Sequence, residues 1–341
     1  MNKLVINRNE NLYGPSPKCM NAIKNFKKDH AYLYLDGSYQ SILGSVLAKK
    51  YKLNENQIIV CYGGEDFLKT AFNELSSSDS ILTHEYCFGY YTNYALHRNI
   101  PINFFKMQEK NDSFSFDLKD CIEKCNSLRP NLLILTSPNN PTGSTISFSE
   151  LEFVLKNISK EILVIFDEVY LGFDYSYKDP NYAKLLEDYP NLALLRSFSK
   201  YYALAGLRIA YALCGRKAIE LLRYRKPYTG ISRILEEVAI AALQSDNYYS
   251  KIAEKICNDR DWLLTETKKL NHFRFYSSKA NFVLFKPNSS IDSILKVELY
   301  KEKRVLCKEM QNGYWRFTIG KTSDVKHFYK IINKIDSSIV K

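Results

Sequence analysis

At 341 residues the chain exceeds what one ordinary hydrophobic core supports, so two folding units are expected. Hydrophobic residues at 45% beside charged ones at 25% describe a soluble globular protein, and no apolar run approaches the roughly 20 residues a membrane helix needs. The net charge of +11 suits anionic small molecules, but no dense Lys/Arg run marks a nucleic-acid surface. The opening MNKLVINRNENLYGPSP turns polar too early for a secretory leader, so a cytoplasmic location is expected. The eight cysteines (Cys19, Cys61, Cys87, Cys121, Cys125, Cys214, Cys257 and Cys307) are scattered. Only Cys121 and Cys125 lie close, without a matching second pair. Free thiols in a reducing compartment are expected, and no zinc.

Residues 1–30 are too short to fold alone and are expected to pack on the smaller unit. Short apolar runs then alternate with helical patterns. The strands are expected at 57–64, 80–86, 101–107, 131–138, 161–168, 192–198 and 208–215, with amphipathic stretches such as EDFLKTAFNELS and FSELEFVLKNISK between them. Such alternation predicts an α/β fold built on a mostly parallel seven-stranded sheet flanked by helices. Past about residue 230 the pattern changes. SRILEEVAIAALQ and YYSKIAEKICNDRDWLLTETKKL read as helices, the second long enough to bridge two units. NFVLFKP, RVLCKEM and YWRFTIG then read as strands of a smaller α+β unit. The division expected is 31–245 for the larger unit and 1–30 with 246–341 for the smaller.

Ligands of open parallel sheets gather at the carboxyl ends of the strands. After 57–62 come Gly63, Gly64, Glu65 and Asp66, opening a helix whose amides could meet a phosphate or simply form a turn. After 80–86 stand Phe88, Tyr90 and Tyr91, either core aromatics or a stacking face. Ser137-Pro138-Asn139-Asn140-Pro141-Thr142-Gly143 is a rigid loop that fixes the direction of the Asn140 amide. Asp167, at the end of a buried apolar strand, is costly unless paired, although it could also cap the next helix. The run LALLRSFSKYYALAGLRIAYALCG ends a strand in Ser197, Ser199 and Lys200 and sets Arg208 eight residues on. Two hydroxyls and a guanidinium make a phosphate site, and the lysine beside them is a candidate nucleophile.

NRNENLYGPSP, SPNNPTG, FDEVY, SFSKYYALAGLR, KANFVLF and WRFTIG stand in one order along essentially the whole chain. In that order they resemble the fold-type I pyridoxal 5′-phosphate enzymes, specifically class I/II aminotransferases of the histidinol-phosphate aminotransferase kind. The resemblance implies that Lys200 carries the cofactor as a Schiff base and then serves as general base at the substrate Cα. Ser197, Ser199, Arg208 and the backbone of Gly64 and Glu65 are implied to hold the phosphate, and Asp167 the pyridine nitrogen. Asn140 and Tyr170 are implied at the phenolic oxygen, with Phe88 stacked on the ring. Arg316 is implied to grip a substrate carboxylate, with Tyr13, Lys308 and Asn140 also facing the substrate. Tyr34, in competition with Tyr32 and Tyr39, is implied to reach the partner's cofactor in a homodimer with shared sites.

Departures limit what the resemblance implies about substrate. Relatives typically read Asn-Pro-Tyr where this chain has Asn11-Leu12-Tyr13, and carry arginine where it has Lys308, which keeps the charge without the planar fork. In KPYTGIS (226–232), Thr229-Gly230 replaces the usual residues. The expected reaction is amino transfer between glutamate or glutamine and a small phosphorylated carbonyl compound. The alternative on the same cofactor is decarboxylation of a phosphorylated amino acid such as threonine or serine phosphate. A nicotinamide dehydrogenase is disfavoured, because no G-x-G-x-x-G follows any strand. A non-catalytic relative is disfavoured by the joint presence of Lys200, Asp167, Asn140, Tyr170 and Arg208.

Overall fold

The computed structural model describes residues 4–5, 7–33, 41–222 and 230–339. Seven strands form one sheet in the order Ile58–Cys61, Ala210–Cys214, Leu192–Ser197, Leu163–Asp167, Leu132–Thr136, Ile81–His84, Ile102–Phe105. Only Ala210–Cys214 runs antiparallel to its neighbours. The central strands LLILT and LVIFD are buried at every position, as parallel strands covered on both faces must be. Alternation still sorts their side chains. Leu133, Leu135, Val164 and Phe166 join one core, and Leu132, Ile134, Leu163 and Ile165 the other. The expected α/β class and seven strands are therefore present. Thr136 pairs with Asp167 and Asp167 with Leu195, which sets the polar strand ends side by side.

A second, antiparallel sheet runs Phe273–Phe275, Phe282–Pro287, Trp315–Thr318, Cys307–Glu309. Its core stacks Phe317 on Phe328 with ring centroids 4.0 Å apart and adds Phe285 and Ile332. The helix Asp246–Thr267 buries Tyr249 in the larger core and Ile252, Ile256 and Leu263 in the smaller one, so it spans both.

The opening segment divides, which corrects the expectation that all of residues 1–30 pack with the smaller unit. Leu4–Val5 pairs in parallel with Arg304–Val305, and Leu12 and Tyr13 pack on the smaller core. The helix Pro17–Lys24 lies instead against Arg233–Leu243, with Cys19 fully buried in the larger core. Ser16 caps that helix and joins Ser245 through their hydroxyls at 2.8 Å. Further elements were not expected. A hairpin of Met107–Lys110 and Ser113–Phe116 reaches the smaller sheet, where Glu109 accepts from the hydroxyls of Tyr276 (2.6 Å) and Tyr314 (2.9 Å). The short strand Phe273–Phe275 extends the second sheet. All eight cysteines are free. Among the described residues no helix is long and apolar enough to cross a membrane, and no group of His, Cys, Asp and Glu could hold a metal ion.

Beneath the site a buried ion pair ties two central strands together. Arg196 Nε meets Glu168 Oε2 at 2.9 Å, and its remaining nitrogens donate to the hydroxyls of Tyr51, Tyr177 and Tyr182 at 3.0, 2.8 and 2.6 Å. Each of the three guanidinium nitrogens has a partner, four of its five N–H donors being used, which is the condition for tolerating it there. Glu168→Gln keeps the shape but leaves the arginine charge uncompensated. Urea unfolding of the cofactor-free protein is expected to show a loss of about 3 kcal/mol or more; a loss under about 1 kcal/mol would show that the phenols alone hold Arg196.

Candidate active site

Chain segments from the carboxyl ends of the central strands converge with the second sheet. The first follows Ile58–Cys61. Gly63 takes φ +87°, and a Cβ there would lie 2.7 Å from Arg208 Nη2, so the guanidinium rests where only glycine leaves room. The next helix, Gly64–Asn73, opens without a side-chain cap, and its first amides, those of Gly64 and Glu65, have no partner within the helix. Arg208, itself at φ +54°, lies 3.6 Å from the Glu65 carboxylate. That pair is about half exposed on both sides and contributes little to stability.

The second segment follows Leu192–Ser197. Ser197 Oγ accepts from the amide of Ser199 at 3.0 Å, and the Phe198 amide donates to Ile209 O at 3.1 Å, so the two serines run beside Arg208. Lys200 extends from the same turn. Its Nζ donates to Arg8 O at 2.6 Å and stands 5.5 Å from the Tyr170 ring centroid.

Asp167 ends its strand 3% exposed. Its Oδ2 accepts from Tyr91 Oη at 2.7 Å and its Oδ1 from the Val169 amide at 3.1 Å. Burial, with the neighbouring charge of Glu168, pushes its pKa up to about 6 against the two hydrogen bonds. Tyr91 is therefore no stacking face, as its place after the strand had allowed, but the hydroxyl that orients Asp167. Behind it the chain of contacts continues. Tyr91 Oη lies 3.2 Å from Thr136 Oγ1, which lies 3.3 Å from His84 Nε2. Desolvation lowers the pKa of His84 to about 4, so that ring stays neutral. Phe88 packs edge-on against Tyr91, with centroids 5.8 Å apart, and lies parallel to Tyr90 at 6.1 Å.

The remaining segments are the Asn139–Asn140 loop and the second sheet. Arg316, 4% exposed, donates through Nη1 to Asn140 Oδ1 and through Nη2 to Asn7 O at 2.7 Å. Its Nε is buried with no partner among the described residues, and burial lowers its pKa. Lys308 pairs with Arg316 across the strands, so both point to one face. Burial, with the charges of Arg316 and Arg8, depresses the Lys308 pKa. Tyr170 is buried, its ring edge-on to Phe282 at 5.0 Å and its Oη accepting from Asn9 Nδ2 at 2.9 Å.

Lys200, Asp167, Tyr170, Asn140, Arg316 and the Gly63–Arg208 corner thus share one site. Tyr13 stands apart, its ring packed on the smaller core with Lys255 Nζ 5.9 Å from its centroid. Tyr34 and Tyr39 lie outside the described residues, as do 226–229 of KPYTGIS, and the Tyr32 ring is exposed. The site residues that the sequence left unassigned are Asn7, Arg8, Asn9 and His84, with Thr136. None carries a local signal; each is recognisable only from the partner the fold brings to it.

The implied cofactor has a phosphate, a proton-binding ring nitrogen and a phenolic oxygen. The site offers a match for each. Free helix amides and a guanidinium seated on a glycine suit the phosphate. A buried carboxyl with two hydrogen bonds and no cation beside it among the described residues suits a protonated ring nitrogen. An Asn and a Tyr beside the lysine suit the oxygen.

The family model described as "Aminotransferase class I and II" matches residues 1–332. A histidinol-phosphate aminotransferase of Clostridium botulinum is 31% identical, with 98% of this chain and 94% of the relative covered. One from Staphylococcus epidermidis is 34% identical over 85% of this chain and 81% of its own. In fold the chain is similar to the histidinol-phosphate aminotransferase of Sinorhizobium meliloti solved with pyridoxal-5′-phosphate. The TM-score is 0.83 at 21% identity, covering 98% and 91% of the two chains. The chain belongs to the class I and II aminotransferases and is a pyridoxal-phosphate-dependent aminotransferase.

Proposed function

We propose that this aminotransferase moves an amino group between glutamate or glutamine and a small phosphorylated carbonyl compound of the kind its relatives' name indicates, histidinol phosphate among them. The observation that carries the reading is the pair Arg316 and Lys308. One buried guanidinium has an unpartnered Nε–H, and a second cation lies beside it on the same sheet face. Two cations suit the two substrates that take turns in the site, Arg316 the carboxylate of the amino donor and Lys308 the phosphate of the carbonyl compound. Lys200 is the general base and Asp167 the partner of the ring nitrogen. Gly64, Glu65, Ser197, Ser199 and Arg208 hold the phosphate of the cofactor, Asn140 and Tyr170 its phenolic oxygen, and Phe88 its face.

Bound there, pyridoxal phosphate supplies the sink for the electron pair left at the substrate Cα. The protein does the rest. Lys200 Nζ, held near Tyr170 and Arg8 O, takes the Cα proton and returns it to the other end of the transfer. Asp167, fixed by Tyr91 and the Val169 amide, keeps a negative charge against the ring nitrogen. Arg316 orients the substrate carboxylate so that the Cα–H bond, rather than the carboxylate bond, faces the lysine. We further read the enzyme as a cytoplasmic homodimer. The family resemblance supports the dimer.

Mixing the loaded enzyme with L-glutamate and watching the cofactor absorbance move to the amine form tests the reaction. Carbon dioxide release from threonine phosphate without amino exchange would overturn it. Arg316→Lys is expected to lower kcat/KM roughly 10²-fold, chiefly through KM for the amino acid, as the fork becomes a point charge. An unchanged KM would remove Arg316 from the carboxylate site.

A further inference from the structure

The segment Asn7–Asn11 crosses the site from the second sheet, and one of its residues is unusual on three counts. Asn9 is fully buried, takes the left-handed φ of +58°, and uses its amide at both ends. Its Nδ2 donates to Tyr170 Oη at 2.9 Å, and its Oδ1 accepts from Thr318 Oγ1 at 3.2 Å. Its carbonyl accepts from Asn281 Nδ2 at 3.0 Å, so it is fixed by Thr318 of the second sheet and by Asn281, the residue before strand Phe282–Pro287. A buried asparagine needs partners, but an interior strut needs neither a left-handed backbone nor a phenol at one end.

We propose that Asn9 is a positioning residue that sets the direction of the Tyr170 hydroxyl proton. A phenol has one proton to give and lone pairs to receive. Since Asn9 donates to the Tyr170 oxygen, that lone pair is occupied and the tyrosine's own proton is left to point elsewhere. Thr318, two residues beyond Arg316, holds the amide in the orientation that makes Asn9 the donor. The same segment passes Arg8 O to Lys200 and Asn7 O to Arg316, so one strap registers base, hydroxyl and guanidinium together. The proposal rests on the reading that Tyr170 donates to the cofactor's phenolic oxygen.

Asn9→Asp tests it directly. Aspartate tolerates the left-handed backbone and keeps the size, but it accepts where asparagine donated. The Tyr170 proton then turns to the introduced carboxylate and away from the ring oxygen. A donor at that oxygen makes it a poorer partner for the protonated lysine nitrogen, so losing the donor raises the pH midpoint of the cofactor's visible absorbance. The expected shift is about one pH unit upward, with kcat down roughly tenfold and KM for the amino donor nearly unchanged. Asn9→Gly keeps the backbone geometry and removes the donor without supplying an acceptor, so a shift of the same sign but smaller is expected, and it carries the test if the aspartate variant does not fold. Tyr170→Phe should shift the midpoint on its own, and Asn9→Asp added to it should change nothing more. If Tyr170→Phe shifts the midpoint and neither Asn9 variant does, the positioning role is wrong while the reading of Tyr170 stands. If Tyr170→Phe leaves the midpoint in place, the reading of Tyr170 fails and the role of Asn9 fails with it.

Discussion

Lys200→Ala is expected to lower turnover by about 10⁴-fold or more, because on the roles proposed above it removes the general base and the covalent tether in one step. The rest of the site predicts which properties survive. Arg208 on Gly63, the Gly64 and Glu65 amides, Ser197 and Ser199 do not depend on Lys200 Nζ, whose hydrogen bond in the structure goes to Arg8 O. The variant should therefore still retain pyridoxal phosphate, but borohydride should leave no label on the chain. Adding a small primary amine such as methylamine should restore a fraction of the rate, since it supplies the missing base without the missing tether. Unimpaired turnover, or a borohydride label at another lysine, would move the catalytic role away from position 200. Lys200→Arg separates charge from basicity, because a guanidinium keeps the cation yet does not give up its proton.

The strands of the large sheet were legible because most are largely apolar runs closed by turn residues, and the central ones are covered on both faces. Leu132–Thr136 and Leu163–Asp167 show that condition without exception. The hairpin at 107–116 was less legible. Its alternation is mixed with charge, and it is held by tyrosines more than 150 residues away, at 276 and 314. Pro17–Lys24 followed the larger core because its buried Cys19 meets the Arg233–Leu243 helix, and nothing within residues 1–30 encodes that partner. The site divides in the same way. Lys200, Asp167 and Arg208 sit where a strand end makes a polar residue conspicuous. Tyr91 looked like one aromatic among three, and only the fold shows its hydroxyl on Asp167. Asn9 stands in a run of polar residues whose separate partners no spacing reveals.

The other large effect has opposite signs for activity and stability. In the cofactor-free protein the pKa of Asp167 rises from 3.8 to about 6, chiefly through burial. Between those two pH values the folded chain holds a proton that the unfolded chain has already lost. Unfolding free energy therefore falls as pH rises through that window, and by pH 7 the loss amounts to about 3 kcal/mol. Asp167→Asn removes the titration. Its carbonyl can still accept from Tyr91, while the Val169 amide loses its partner at a cost of about 1 kcal/mol. The variant should accordingly be slightly less stable than wild type near pH 4 and more stable by about 2 kcal/mol at pH 7. Its turnover should drop at least 10²-fold, because a neutral amide cannot hold the proton on the ring nitrogen. On the role proposed for Asp167, a protonated ring nitrogen would give the carboxylate a cation in the loaded wild-type enzyme, so the pH trend should vanish or reverse there. Thermal melts of both proteins with and without cofactor, between pH 4 and pH 8, check the stability statements, and steady-state kinetics check the turnover. Parallel melting curves for the two cofactor-free proteins would mean that Asp167 is not strained by its burial. In that case the carboxyl would already be solvated or paired, and its place at the strand end would be that of an ordinary structural acid rather than a charge held ready for a ring nitrogen.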